Sequence, residues 1–197
     1  MKLFIIRHGE TTFNKRNIVQ GHIDTSLSRT GKEQAKKISK KLLQQNIDII
    51  YCSDLKRCKQ TIEPFLKLKK SIPIHYTKEL REMNFGIFEG KPGEKMKEWI
   101  KETRFSFSSK FPKGESNKDL EKRISSFLKK LIKKEKGKNI LLSTHGLTKK
   151  ALLTQLLNKT KKNYWKGRIP NTALSIVNIK DDGNHRATLL NSTKHLD

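Results

Sequence analysis

Short continuous apolar runs alternate along this chain with longer stretches in which apolar residues recur every three or four positions. Leu3–Ile6 is the first run, rich in β-branched residues, the pattern of a strand buried on both faces. Phe13–Leu27 reads as a loop. Thr30-Gly31-Lys32-Glu33 reads as a capping box with Thr30 as N-cap. It opens a helix to about Gln45, with Ala35, Ile38 and Leu42 inward. Ile47–Tyr51 is a second buried strand. Ser53 or Asp54 then caps a helix carrying Arg57, Thr61 and Ile62, which Pro64 is expected to kink or end. Ile72–Tyr76 is a third strand, and Leu80–Gly90 a polar loop. Glu94–Lys101 is a short helix. Phe105–Gly114 is irregular and rich in Ser and Phe, suited to a lid.

Ser116 and Asp119 open a further helix, whose inner face is Leu120, Ile124, Phe127, Leu128, Leu131 and Ile132. Asn139–Leu142 is a fourth buried strand ending in Ser143-Thr144-His145-Gly146, and a helix follows through Leu156. Pro170-Asn171-Thr172 precedes strand Ala173–Ile179. After a turn at Asp181–Asn184, Arg186–Leu190 returns as an antiparallel strand. Such alternation predicts right-handed crossovers and a three-layer α/β/α sandwich. Its central sheet is mostly parallel with one antiparallel strand. No repeat or linker divides the chain, so residues 1–197 form one domain.

Composition adds bounds. Hydrophobic residues make up 34% and the mean hydropathy is −0.73, so a polar surface encloses a real core. No apolar run reaches the length of a membrane span, and Met1–Ile6 is too short for a secretory core before Arg7 interrupts it. A cytoplasmic protein is expected, with Cys52 and Cys58 reduced. The net charge of +25 raises the possibility of a polyanion partner. However, the lysines are spread over Lys36–Lys41, Lys67–Lys70, Lys129–Lys138, Lys149–Lys150 and Lys159–Lys162, with few aromatics between them. Solvated helix faces fit that dispersal better than a nucleic-acid or membrane surface.

The candidate chemistry lies where the strands end. The first strand stops at Arg7-His8-Gly9 and the fourth at Thr144-His145-Gly146, the carboxyl ends where open α/β sheets bind ligands. If these strands are neighbours, both imidazoles and both glycines meet at one rim. Arg7 and Arg57 can hold a dianionic group through paired N–H bonds, and a phosphate monoester is the natural candidate. Nearby positive charge keeps His8 neutral and nucleophilic. His145 can donate to the equatorial phosphoryl oxygens, and Glu82 can protonate the leaving oxygen and later take a proton from water. Glu10 and Glu89 are rival carboxylates for that role.

At these positions the chain resembles the histidine phosphatase superfamily, the phosphoglycerate-mutase-like fold. The shared pieces are R-H-G-E-T at Arg7–Thr11, Asn14, Q-G-x-x-D at Gln20–Asp24 and S-D-L-x-R at Ser53–Arg57. L-R-E-x-x-F-G-x-x-E-G at Leu80–Gly90, G-E-S at Gly114–Ser116 and T-H-G at Thr144–Gly146 complete the set. Each is weak alone; their order and spacing are specific. The resemblance implies a phosphohistidine on His8, with Arg7, Arg57 and His145 completing the phosphate pocket. It implies that Glu82 is the proton donor and that Asn14, Gln20 and Gly21 line the substrate side. Gly146 completes the binding rim. It implies no metal and no cofactor, a small-molecule phosphate monoester as partner, and a monomer or homodimer.

Two departures bear on the reaction. Mutases of this family carry an insertion after the acid loop, with a Lys and an Arg pair that hold a second phosphate or carboxylate. Here Gly90-Lys91-Pro92-Gly93 runs directly into the next helix, no Arg-Arg pair follows, and no long C-terminal tail is present. Both favour a phosphatase, and Phe111–Ser116 resembles the branch that includes α-ribazole phosphatases. The alternatives are a phosphoglycerate mutase, or a basic polyanion-binding module without turnover. His22, His75, His185 and His195 lie outside the shared pieces and read as ordinary surface or loop histidines. No H-x-x-x-H pair or Cys/His cluster suggests a metal site. Cys52 and Arg57 miss the C-x5-R spacing of cysteine phosphatases by one position.

Overall fold

The computed structural model describes residues 1–158 and 167–197; the Lys159–Lys162 cluster lies outside them. The elements follow in chain order: β1 Lys2–Arg7, α1 Thr12–Lys15, α2 Arg29–Leu43, β2 Ile49–Ser53, α3 Lys56–Leu68 and β3 Ile74–Thr77. Then come α4 Gly93–Glu102, α5 Asn117–Lys134, β4 Ile140–Thr144, α6 Gly146–Leu156, β5 Leu174–Asn178 and β6 Arg186–Ser192. The sheet order is β3-β2-β4-β1-β5-β6. β1, β2, β3 and β4 pair in parallel, and β5 runs antiparallel to both β1 and β6. The strand that opposes the sheet is therefore β5; the returning β6 is antiparallel to β5 and runs with β1 once more.

Period-two alternation builds the two cores. Leu3, Ile5, Ile140 and Leu142 face a cluster with Leu120, Ile124, Phe127 and Leu131 of α5 and Leu152 and Leu156 of α6. Phe4, Ile6, Ile50 and Leu141 face the other, with Ile38 and Leu42 of α2 and Ile62 and Phe65 of α3. These are the three layers expected. The register Ile6↔Ser143 and Arg7↔Thr144 brings the Arg-His-Gly and Thr-His-Gly ends side by side.

Local signals were met unevenly. Ser116 caps α5 in a full capping box with Asp119. The cap of α2 is Ser28, not Thr30: its Oγ accepts the Gly31 N–H at 3.0 Å, while its own N–H donates to the Glu10 carbonyl at 2.8 Å. Neither Ser53 nor Asp54 caps α3, whose N-cap is Leu55 without a side-chain bond. Both polar groups are engaged elsewhere, Ser53 with His145 and Asp54 with Arg81. Pro64 does not end α3, because Ile62 and Phe65 bury the helix on both sides of it. The 13–27 loop contains the one-turn α1, closed by Thr11 and Asn14. Lys149 and Lys150 do not belong to a solvated face: α6 is buried nearly all round, and they are 0% and 7% exposed.

Candidate active site

The carboxyl ends of β1 and β4, the 80–90 loop, α4 and the 167–169 strap enclose a cavity of about 650 Å³. Arg7, His8, Asn14, Gln20, Gly21, Arg57, Glu82 and Gly146 all line it. His145 does not. It stands behind Arg57, its ring centroid 5.2 Å from that of His8.

Each side chain is held by named partners. His8 Nδ1–H donates to the Gly9 carbonyl at 2.7 Å, which leaves Nε2 as the nitrogen with a lone pair. The His8 backbone is fixed as well: its N–H donates to Thr144 O, and its carbonyl accepts from Thr172 N–H and Asn171 Nδ2. Burial, with Arg7 and Arg57 adding to it, holds His8 well below the usual histidine range. The imidazole is therefore neutral at pH 7.

Arg57 is fully buried. Its Nε–H donates to His145 Nδ1 at 3.0 Å, Nη1 to Ile23 O at 2.8 Å and Nη2 to Gly21 O at 2.7 Å. A guanidinium has five N–H groups, so two remain for a ligand. His145 Nε2–H lies 2.8 Å from Ser53 Oγ, so both of its nitrogens are committed. Burial, followed by Arg57, lowers its pKa too. In this arrangement the ring orients Arg57 through Nδ1. Arg7 Nη1 donates to Ile169 O, while its buried Nε has no hydrogen-bond partner among the described residues. Burial lowers the Arg7 pKa to about 10, so it stays charged. Such an orphan buried donor is an opening for a ligand oxygen.

Glu82 faces Arg7 across Gly146. A Cβ at position 146 would lie 3.5 Å from Glu82 Oε2 and 3.7 Å from Arg7 Nε, in ordinary contact with both. Glu82 Oε1 accepts from the N–H groups of Met83, Leu147 and Thr148 and from Thr148 Oγ1. Oε2 accepts only the Leu147 N–H, at 3.2 Å. The carboxylate thus sits on the N-terminus of α6, with one oxygen less committed. Its loop is anchored by Arg81 to Asp54 at 2.6 and 2.7 Å, and by Arg123 to the Arg81 carbonyl at 3.0 Å. The rivals point elsewhere. Glu10 accepts from Ser28 Oγ, and Glu89 accepts the backbone N–H groups of His22, Ile23 and Phe85. Neither lines the cavity.

On the substrate side, Gln20 Oε1 accepts from Thr11 Oγ1 and Thr25 Oγ1, leaving its NH2 end uncommitted. Asn14 Oδ1 accepts from Thr11 N and Asn171 Nδ2. The 105–114 segment packs as a wall of the cavity through Phe105 and Phe111. Phe105, Phe111, Phe85, Phe88 and Trp99 make an aromatic cluster, and Ile87 N–H donates to Pro112 O at 3.1 Å. Sequence reasoning did not single out Lys97, Lys150, Arg168 and Asn117 of the lining, nor Asn171 behind His8. His22 is more than a loop histidine, because its Nε2–H donates to the Glu82 carbonyl at 2.9 Å. Among the described residues no three His, Cys, Asp or Glu side chains gather as a metal site, and no helix is long and apolar enough to cross a membrane.

Two histidines, two arginines and a carboxylate thus gather at the carboxyl edge of the parallel strands, supplied by β1, α3, the 80–90 loop and the start of α6. The family model of histidine phosphatase superfamily branch 1 matches residues 3–193. The chain belongs to the histidine phosphatase superfamily. A broad-specificity phosphatase of Saccharomyces cerevisiae is 34% identical, over 100% of this chain and 87% of the yeast protein. The α-ribazole phosphatase of Shigella flexneri superposes with a TM-score of 0.84 at 27% identity, covering 98% of this chain and 96% of that one. A phosphoserine phosphatase variant of Entamoeba histolytica, bound to phosphoserine, gives 0.85 at 30% identity, covering 99% and 98%. This histidine phosphatase is accordingly an enzyme of the phosphatase kind, and its fold and family are those the motifs implied.

Proposed function

We propose that the chain hydrolyses small phosphate monoesters through a phosphohistidine on His8, with no metal or cofactor. The pinned imidazole carries this reading: Nδ1–H is tied to Gly9 O, so Nε2 is the free nucleophile beside two arginines. In the first half-reaction His8 Nε2 bonds to phosphorus, the bond from phosphorus to the leaving oxygen breaks, and Glu82 supplies that oxygen with a proton. In the second, water gives its proton to Glu82 and attacks phosphorus, the N–P bond breaks, and inorganic phosphate departs. Arg7 Nε and the two spare Arg57 N–H groups stabilise the phosphoryl oxygens, with preorganised charge in place of a metal ion. His145 holds the Arg57 fork in place from behind. Asn14, Gln20 and Gly21 border the leaving group.

Hydrolysis is favoured over mutase chemistry because α4 starts immediately after the acid loop, without the clamp of a mutase. The test is a panel of monoesters with excess EDTA, including p-nitrophenyl phosphate, phosphoserine, α-ribazole phosphate and 3-phosphoglycerate. Turnover should survive chelation and vanish in His8→Ala. Loss on EDTA with recovery on Mg²⁺ would overturn the mechanism, and efficient conversion of 3- to 2-phosphoglycerate would make it a mutase.

A further inference from the structure

The cavity holds more positive charge than one phosphate needs. Arg7, Arg57, Lys97, Lys150 and Arg168 line it, and Glu82 is the sole carboxylate among the described lining residues. Arg7 and Arg57 answer a phosphate dianion. Lys150 interacts with Glu82, and its Nζ donates to the Gly167 carbonyl. Lys97, exposed on α4, and Arg168 are left over. Arg168 is exposed at the mouth, and among the described residues it has no hydrogen-bond or ion-pair partner. In a chain with 44 Lys and Arg, an exposed arginine alone means little. What distinguishes Arg168 is how its backbone is held. Lys150 Nζ grips the carbonyl before it, at Gly167, and Arg7 Nη1 grips the carbonyl after it, at Ile169. Two cations of the site thus fix the tripeptide that presents a third. Arg168 also lies close enough to raise the positive potential felt by both Arg7 and His8.

We propose that Arg168 is a specificity residue for a second anionic group on the leaving side of the substrate, a carboxylate or another phosphate. This rests on the phosphatase reading and narrows its substrate class to monoesters with a distal negative charge. The subsite is built on the strap before β5, a different part of the chain from the region after the acid loop where mutases carry their insertion. A guanidinium suits it, because it can pair two N–H groups with one carboxylate.

The test uses matched pairs: benzylphosphonate against 4-carboxybenzylphosphonate for binding by calorimetry, and phenyl phosphate against 4-carboxyphenyl phosphate for turnover. Wild type should favour the carboxylated member of each pair. In Arg168→Ala that preference ratio should fall about two- to five-fold, the range for losing a contact between exposed charges. Arg168→Lys should restore part of it. An unchanged ratio overturns the proposal, whether both ligands weaken together or neither does. Normal phosphonate discrimination without turnover of either ester would instead sink the phosphatase reading and leave the subsite standing.

Discussion

At the scale of single residues, the division of labour follows from which atoms are already committed. His8 has one nitrogen tied and one available, whereas His145 has both tied. Glu82 has one oxygen crowded with donors and one with a single donor. Motif order and spacing pointed to Arg7, His8, Arg57 and Glu82, and the fold brings all four to one cavity. Spacing could not place His145 behind Arg57 or bring Arg168 to the mouth, since those depend on partners far along the chain. Glu82→Gln should slow phosphoryl transfer from an alkyl phosphate by about 10²–10⁴-fold. With p-nitrophenyl phosphate the loss in the same step should be much smaller, since nitrophenolate leaves without a proton. Single-turnover kinetics separate the two, and equal losses would reduce Glu82 to a cap of α6.

At the scale of elements, the acid loop and the 105–114 wall behave as one unit. Gly86 shows why: its φ is +56°, and a Cβ there would sit 1.9 Å from Pro112 O and 2.8 Å from Gly114 N. Neither backbone segment can yield without moving the Glu82 loop or the aromatic wall. Gly86→Ala should therefore destabilise the fold by about 2–4 kcal/mol, combining left-handed strain with a backbone clash. It should also lower kcat. Urea midpoints report the first effect, and a change within about 0.5 kcal/mol would contradict the coupling. Element identity was legible from periodicity, but caps were not. Ser28 and Thr30 both suit the start of α2, and the choice rests on the contact of Ser28 with the Glu10 backbone, 18 positions away.

At the scale of the whole molecule, the alternating pattern announced the layers, since period-two runs must be covered on both faces by amphipathic helices. It did not announce strand order or the reversal at β5, which depend on where crossovers land. The packed site also makes stability depend on pH. His8 and His145 are both held well below the usual histidine value, chiefly by burial. Their contribution is complete above the unfolded value of about 6.5 and is lost as pH falls below it, because the unfolded chain takes up protons that the folded chain does not. The stability slope should approach about 2.7 kcal/mol per pH unit for the pair on the acid side of about pH 5.5. His8→Asn should remove about half of it. Denaturant titrations across this range check the sign, and stability that rises on acidification would contradict it.

The phosphohistidine can be sought directly. Rapid quench of wild type with ³²P-labelled monoester should trap a labelled protein whose phosphoryl group survives base and is lost in acid. Peptide mapping should place it on His8, and His8→Ala should carry no label. An acid-stable phosphoester, or label on any other residue, would contradict the account.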